Sequence, residues 1–320
     1  MKKTLVALAV LAAAGSAQAI ELYNQDKVTV NMTGDVEIAY VKGTEKDSEF
    51  KQEIQDADFG FDTRYAVSDD LQVGAFWEFK GSDTNNDLGA QVGDVYMGLY
   101  SASMGSIKFG KTATALDDAG IGSDYQFGIS SFFQKGTPFA GHEVAKYELD
   151  KGTFYGTVAF MQDKNGYNGL GEDGTFFDAK LGFRVADFDF TGFAGSAELK
   201  GAGIDPAVDG LKETIYAVEA RYAGVENLNL ELGYYGVKAE LNDADATVGA
   251  YGAAADYTLN AWKFATGVSQ TNPDEGEKVV NWFLNAGYAL APSTTAYAEV
   301  GGDNADNSET GFAVGLKADF

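Results

Sequence analysis

The chain of 320 residues has no cysteine, four prolines, one histidine (His142) and three arginines (Arg64, Arg184, Arg221). Without cysteine there is no disulfide framework and no thiolate metal centre. With a single histidine, His-pair metal sites and Asp–His catalytic dyads lack material, and no G-x-S-x-G nucleophile motif accompanies it. An enzyme is not expected. Lys and Arg number 23 against 48 Asp and Glu, a net charge of −25, which argues against a nucleic-acid partner. Beyond residue 19 no apolar run is long enough for a membrane-spanning helix. No phosphate-cradling loop is visible. The acid-rich segments Asn242-Asp243-Ala244-Asp245 and Asp303-Asn304-Ala305-Asp306-Asn307 lack the spacing and terminal Glu of an EF-hand and read as solvated loops. No cofactor or metal is expected.

What the chain does contain begins with an export signal. Lys2 and Lys3 precede an apolar core from Leu5 to Ala14, and Ala17-Gln18-Ala19 is a small-x-small cleavage site. Residues 1–19 therefore read as a cleaved signal peptide, with cleavage between Ala19 and Ile20 and export by the general secretory route. Residues 20–320 read as one domain with no linker. The 40 glycines, 22 phenylalanines and 17 tyrosines beside so few prolines suit a long all-β chain.

The periodicity is two, not 3.6. Val28, Val30, Met32, Val36, Ile38 and Tyr40 alternate with Thr29, Asn31, Thr33, Asp35 and Glu37. Ala57, Phe59, Phe61, Tyr65 and Val67 alternate with Asp56, Asp58, Asp62 and Arg64. The same pattern recurs in Leu71–Lys80, Val280–Leu290 and Phe312–Phe320. Short connections such as Ser68-Asp69-Asp70 and Asp150-Lys151-Gly152 alternate with longer polar ones such as 164–173 and 201–210. About sixteen strands of roughly ten residues result, the length of tilted membrane-spanning strands. Alternation alone does not separate a soluble sandwich from a membrane barrel. Three features favour the barrel, with apolar side chains toward lipid and polar ones toward a watery lumen. Aromatics recur near strand ends (Tyr40, Tyr65, Tyr100, Tyr222, Tyr257, Tyr288, Phe320), and acids sit in mid-strand (Asp35, Asp58, Asp62). The last run also ends within a strand, and closing the sheet would leave no edge.

One stretch does not alternate. Residues 112–141, TATALDDAGIGSDYQFGISSFFQKGTPFAG, carry Asp117, Asp118 and Asp124 with Tyr125, Phe127, Phe132 and Phe133. Structureless loops of this length are uncommon and tend to be functional.

Taken together, Leu22-Tyr23-Asn24-Gln25-Asp26, Gly60-Phe61, Asp70-Leu71, Trp77-Glu78-Phe79, Gly105-Ser106 and a terminal Phe320 resemble the Gram-negative trimeric general porins. The runs QDADFGFD, YAVSDD, GDVYMGLY and LDDAGIGSDYQFGISSFF look most like the Vibrio-type OmpT and OmpU porins. The resemblance implies a sixteen-stranded antiparallel transmembrane β-barrel, a homotrimer in the outer membrane among lipid and lipopolysaccharide, and passive diffusion of small hydrophilic solutes. It implies that 112–141 is an inward-folded constriction loop, with Asp117 and Asp118 at its acidic rim and Asp124 following. It also implies that Phe320, with Phe312, Val314 and Leu316, is a signal for the barrel-assembly machinery. The basic ladder that enterobacterial members set against the loop is missing at the aligned positions Asp35, Asp58 and Gly93, leaving Arg64, which alternation points into the lumen, and Lys111, His142 and Lys146, which flank the loop, as the basic residues expected near the constriction. In a gap no wider than the Debye length of about 8 Å, mobile ions screen such charges incompletely. The expectation is an acidic, cation-preferring constriction made by Asp117, Asp118, Asp124, Asp35 and Asp58. A substrate-selective channel, or a surface-interaction barrel serving as adhesin or phage receptor, is the alternative.

Overall fold

The computed structural model describes residues 19–81, 91–129, 136–274 and 276–320. The segment assigned to the signal peptide lies outside them except for Ala19, and so do Phe132 and Phe133. The strands are β1 (Ile20–Gln25), β2 (Val28–Lys42), β3 (Lys51–Ala66), β4 (Leu71–Lys80), β5 (Gln91–Ser101), β6 (Gly105–Ala113), β7 (Ala140–Asp150), β8 (Phe154–Gln162) and β9 (Thr175–Val185). They continue with β10 (Phe188–Leu199), β11 (Leu211–Val225), β12 (Leu228–Leu241), β13 (Ala244–Leu259), β14 (Trp262–Pro273), β15 (Val279–Ala291), β16 (Thr294–Asp303) and β17 (Gly311–Asp319). Two single 3₁₀ turns, Leu116–Asp118 and Pro206–Val208, are the only helical segments among the described residues.

Each strand from β2 to β17 pairs antiparallel with the next, and β17 returns to β2, so the sheet closes. Closure satisfies every strand's backbone within the wall, which hydrocarbon demands because it offers no hydrogen bonds. The seventeen pieces make sixteen wall strands. β17 pairs with Asp35–Lys42 of β2, while β1 pairs with Val28–Met32 on the same edge. Phe320 exchanges backbone hydrogen bonds with Gly34 at 2.7 and 2.8 Å, and Ile20 lies opposite Met32. Hence β1 prolongs the line of β17. It is joined to β2 by Asp26 and Lys27, both at positive φ (53° and 67°), as a primed two-residue hairpin turn requires.

The alternation has the inverted sense. On β2, Val36, Ile38 and Tyr40 are 40%, 40% and 52% exposed, whereas Glu37 and Ala39 between them are 7% and 1% exposed. Apolar side chains thus face outward and the polar set faces the interior. The outward aromatics near strand ends include Tyr40, Tyr65, Tyr257 and Tyr288. Tyr100, expected among them, is instead a lumen residue. Its neighbour Leu99 points outward, and the Arg64 guanidinium lies 4.0 Å from the Tyr100 ring centre. The Asn242–Asp245 segment is no long loop. Asn242 (φ 54°) and Asp243 make a tight turn, and Ala244 and Asp245 already belong to β13.

Leu232 on β12 is among the most exposed apolar side chains of the outer face. Leu232→Arg is expected to cost about 2–4 kcal/mol of folding free energy in lipid. Urea titration of the barrel refolded into vesicles measures this, and an unchanged midpoint would contradict a lipid-facing position.

Candidate functional site

The wall between β6 and β7 opens into a long connection whose described residues, 114–129 and 136–139, turn inward. Its neck is closed by Thr114 N–H donating to the Phe139 carbonyl at 2.7 Å. From there the chain runs along the inside of the wall rather than across open water. Leu116, Ile121, Ile129 and Phe139 are buried against Phe176, Phe193, Ile215 and Phe283 of the barrel. The inner wall from β7 to β15 therefore carries an apolar core under the loop, which an entirely watery lumen did not anticipate. Full burial of such side chains is worth roughly 1.5–3 kcal/mol each.

Apolar contact does not satisfy the loop's backbone, whose N–H groups have no strand beside them. Wall carboxylates take that part. Leu116 N–H donates to Asp178 at 2.7 Å, Gly120 N–H to Glu219 at 2.6 Å and Gly122 N–H to Glu231 at 2.9 Å. Tyr125, Gln126 and Phe127 N–H groups all donate to Glu299, at 2.7, 2.7 and 2.5 Å. On the return leg, Gly136 and Thr137 N–H donate to Glu213 at 2.7 and 2.8 Å. Hydrogen bonds to charged groups are worth about 1.5–3 kcal/mol each. Asp178, Glu213, Glu219 and Glu299 are almost wholly buried by these contacts. The alternation marks such residues as inward. It does not reveal that they bind a loop instead of water.

The acids singled out in the loop fall on its exposed side. Asp117 and Asp118 sit on the 3₁₀ turn, and Asp118 is ion-paired with Lys180 of β9. Asp124 keeps contact with solvent but folds back against Gly128. Burial among loop and wall atoms, and then the charge of Glu299, raise its carboxyl above the ordinary range. Beside the place where the loop reaches β2, Asp35 of β2 lies directly across from Asp58 of β3. Oxygens of Asp35, Asp56 and Asp58 lie within 4.8 Å of one another, and such a trio offers a hard cation oxygen ligands. Lys317 (4.0 Å from Asp35) and Lys80 (3.6 Å from Asp58) flank it. Glu78 folds over Gly93, so this third aligned position is also covered by an acid.

Two basic expectations need correction. Arg64 does face the lumen, but it is bound to Asp62 (2.7–3.1 Å) six residues along β3 from Asp58, about 20 Å toward the turn end. Lys111 shares the outward register of Phe109 and pairs with outward Val95, and its Nζ donates to the Val92 carbonyl at 2.5 Å. It is off the lumen face because β6 keeps strict alternation up to that point. Other basic side chains do face inward. Lys108 of β6 and Lys146 of β7 share Glu148 at 2.6 and 3.3 Å, and Lys180 holds Asp118. Arg184 lies 4.1 Å from the Tyr155 ring centre and pairs with Asp150 at 2.9 Å. Alternation with Ile107 and Phe109 would have marked Lys108, and Leu181 would have marked Lys180. The loop's acids are thus not without basic neighbours. Lys180 stands at the loop's root, Lys108 and Lys146 lie further along their strands, and Arg184 lies at the Asp150–Gly152 turn, while Asp35, Asp56 and Asp58 form a separate acidic wall.

A closed barrel with an interior loop docked on one side and a charged gap on the other is a channel architecture. The Gram-negative porin family model matches residues 4–308, and the chain belongs to that family of outer-membrane proteins. Its similarity to the porin-like protein H of Photobacterium profundum is 30% identity over 343 residues, covering the full length of both chains. Among solved structures, the trimer form of OmpT from Vibrio cholerae superposes with a TM-score of 0.72 at 17% identity, covering 92% of this chain and all of that one. The anion-selective porin from Comamonas acidovorans reaches 0.76 at 13% identity, with the same coverage. The fold therefore accommodates a preference for anions, and the sign of selectivity in this chain rests on its own side chains.

Asp124's raised pKa has a defined sign. As pH falls, it takes up its proton before an ordinary aspartate does. Relative to the unfolded chain, its neutral form stabilises the loop below the unfolded pKa, and that contribution is lost as pH rises through the folded pKa. The difference in reversal potential between wild type and Asp124→Asn is expected to fall away on acidification with a midpoint above the ordinary aspartate value of about 4. A midpoint at or below that value would show that the carboxyl titrates normally.

Proposed function

We propose that this porin passes ions and small hydrophilic solutes by passive diffusion and prefers cations. The observation that carries the preference is the acidic wall. Asp35, Asp56 and Asp58 crowd one patch of the gap with two lysines beside them, whereas the inward bases Lys108, Lys146, Lys180 and Arg184 are each tied to a carboxylate. The groups named balance, six acids to six bases, and Glu78 over Gly93, with Asp124 on the loop, makes the excess in the gap negative. In a narrow gap this raises local cation concentration and opposes anions. On the loop Asp117, Asp118 (paired with Lys180) and Asp124 carry negative charge. The short turns face the periplasm and the long connections the outside, as in other bacterial outer-membrane barrels.

The family likeness supports a homotrimer embedded in outer-membrane lipid and lipopolysaccharide. The charged start at Lys2 and Lys3, the apolar run Leu5 to Ala14 and Ala17-Gln18-Ala19 support export through the general secretory route with cleavage between Ala19 and Ile20. Phe320, with the outward-facing Leu316, Val314 and Phe312, is offered to the barrel-assembly machinery. The Phe320 ring lies over Gly34, where there is no side chain to obstruct it.

Reversal potentials across a salt gradient in planar bilayers test the preference. Asp35→Asn/Asp58→Asn is expected to lower the cation-to-anion permeability ratio about twofold or more. Anion selectivity in the wild type would overturn the proposal, and an unchanged ratio in the double variant would remove the wall acids from it.

A further inference from the structure

The tip of the inward loop does not dock at an arbitrary place. Its contacts fall on β16, β17 and β2, the strands that close the barrel. Glu299 of β16 gathers the N–H groups of Tyr125, Gln126 and Phe127 and is itself braced by Asn285 at 2.8 Å. The Tyr125 ring stacks on Tyr297 of β16, with centres 3.9 Å apart and planes 2° from parallel. Gln126 reaches further. Its Nε2 donates both to the Tyr297 hydroxyl at 3.0 Å and to Glu37 of β2 at 2.8 Å, and the Tyr297 hydroxyl donates to the same Glu37 oxygen at 2.6 Å. Since β17 lies between β16 and β2, this one side chain spans it.

Phe127 fills the remaining space. A side chain at Gly301 of β16 would collide with it, and at Gly311 of β17 a Cβ would stand 2.5 Å from its ring. Together with Ala39 of β2, Tyr297 of β16 and Ala313 of β17, Tyr125 and Phe127 make a second, small apolar cluster, which Phe127 joins to the main one.

We propose that Tyr125–Phe127 is a strap across the closing seam, and that Glu299 is the positioning residue that seats it and so sets the width of the gap. The physical reason is one of sequence separation. The pairing of β17 with β2 joins the two ends of the domain, and closing so long a stretch of chain carries a large entropic cost. Interior contacts that bridge the same strands hold that pairing in place. Conversely, the docking surface for the tip exists only once β16, β17 and β2 are side by side. The constriction is then assembled by the same event that closes the barrel. The part of the proposal that concerns width rests on the pore reading above; the strap itself does not.

Three variants in the full-length barrel test it: Glu299→Ala, Glu299→Gln and Phe127→Ala. Two readouts are needed, the unfolding temperature in detergent and the single-channel conductance in planar bilayers. Glu299→Ala is expected to lower the unfolding temperature by roughly 2–4 °C or more and to raise conductance. Glu299→Gln, which keeps one acceptor oxygen, is expected to fall between it and wild type. Phe127→Ala, which leaves every Glu299 hydrogen bond available, is expected to lower the unfolding temperature and raise conductance as well. If neither alanine variant changes the unfolding temperature, there is no strap. If the temperature falls but conductance stays at the wild-type value in both, Glu299 does not set the width and the proposal fails in that form. A wild-type barrel that conducts nothing would defeat the pore reading instead, and the unfolding temperatures would then decide the strap alone.

Discussion

A backbone segment that enters a barrel leaves the sheet that would have satisfied it. Everything particular to this molecule follows from how segment 114–139 meets that constraint. Its N–H groups find acceptors in carboxylates that the wall projects inward from β9, β11, β12 and β16. Its apolar side chains find Phe176, Phe193, Ile215 and Phe283. A buried unpaired N–H or carboxylate would each be costly, and the two needs cancel one another here. Arg221 completes the exchange by donating to the Gly120 carbonyl at 2.6 Å while paired with Glu219.

This division changes the meaning of the chain's acidity. A net charge of −25 suggests a lumen lined throughout by hydrated acids. Several of those acids are withdrawn from water and spent on holding the loop, so they act on the gap's shape more than on its field. The acids left facing the gap are fewer and are gathered in two places, the outer side of the loop and the β2–β3 wall. The inward lysines, for their part, are each within reach of a carboxylate. Selectivity is then a matter of small local excesses. That is consistent with one fold serving both this chain and a structurally similar porin that selects anions.

Much of the fold was legible in order of residues. Val36, Ile38 and Tyr40 against Asp35 and Glu37 specified a strand with two unlike faces, and sixteen such strands with alternating short and long connections specified a closed meander. The failure of alternation between Thr112 and Gly141 marked the loop. What stayed illegible were the pairings that cross the interior. Nothing near Glu299 in the chain indicates that it will meet Tyr125, and nothing near Lys180 indicates Asp118, because those partners are separated by long stretches of the wall. Lys111 was misplaced for a simpler reason: it adjoins the loop in sequence, but its position in the alternation sends it outward with Phe109.

By itself, then, the sequence determined whatever a period of two can encode: strand positions, which face is apolar, and where the pattern breaks. These are local properties, set by which side of a pleated chain each residue occupies. The aromatics near strand ends and the mid-strand acids already favoured an outward apolar face, but only the tertiary structure decided against which strands the loop lies and which acids remain in the gap. Each of these depends on closure, since curling the sheet until β17 meets β2 is what gives it an inside. A residue's role in the pore is set by what it faces across that inside, and sequence distance carries no information about it.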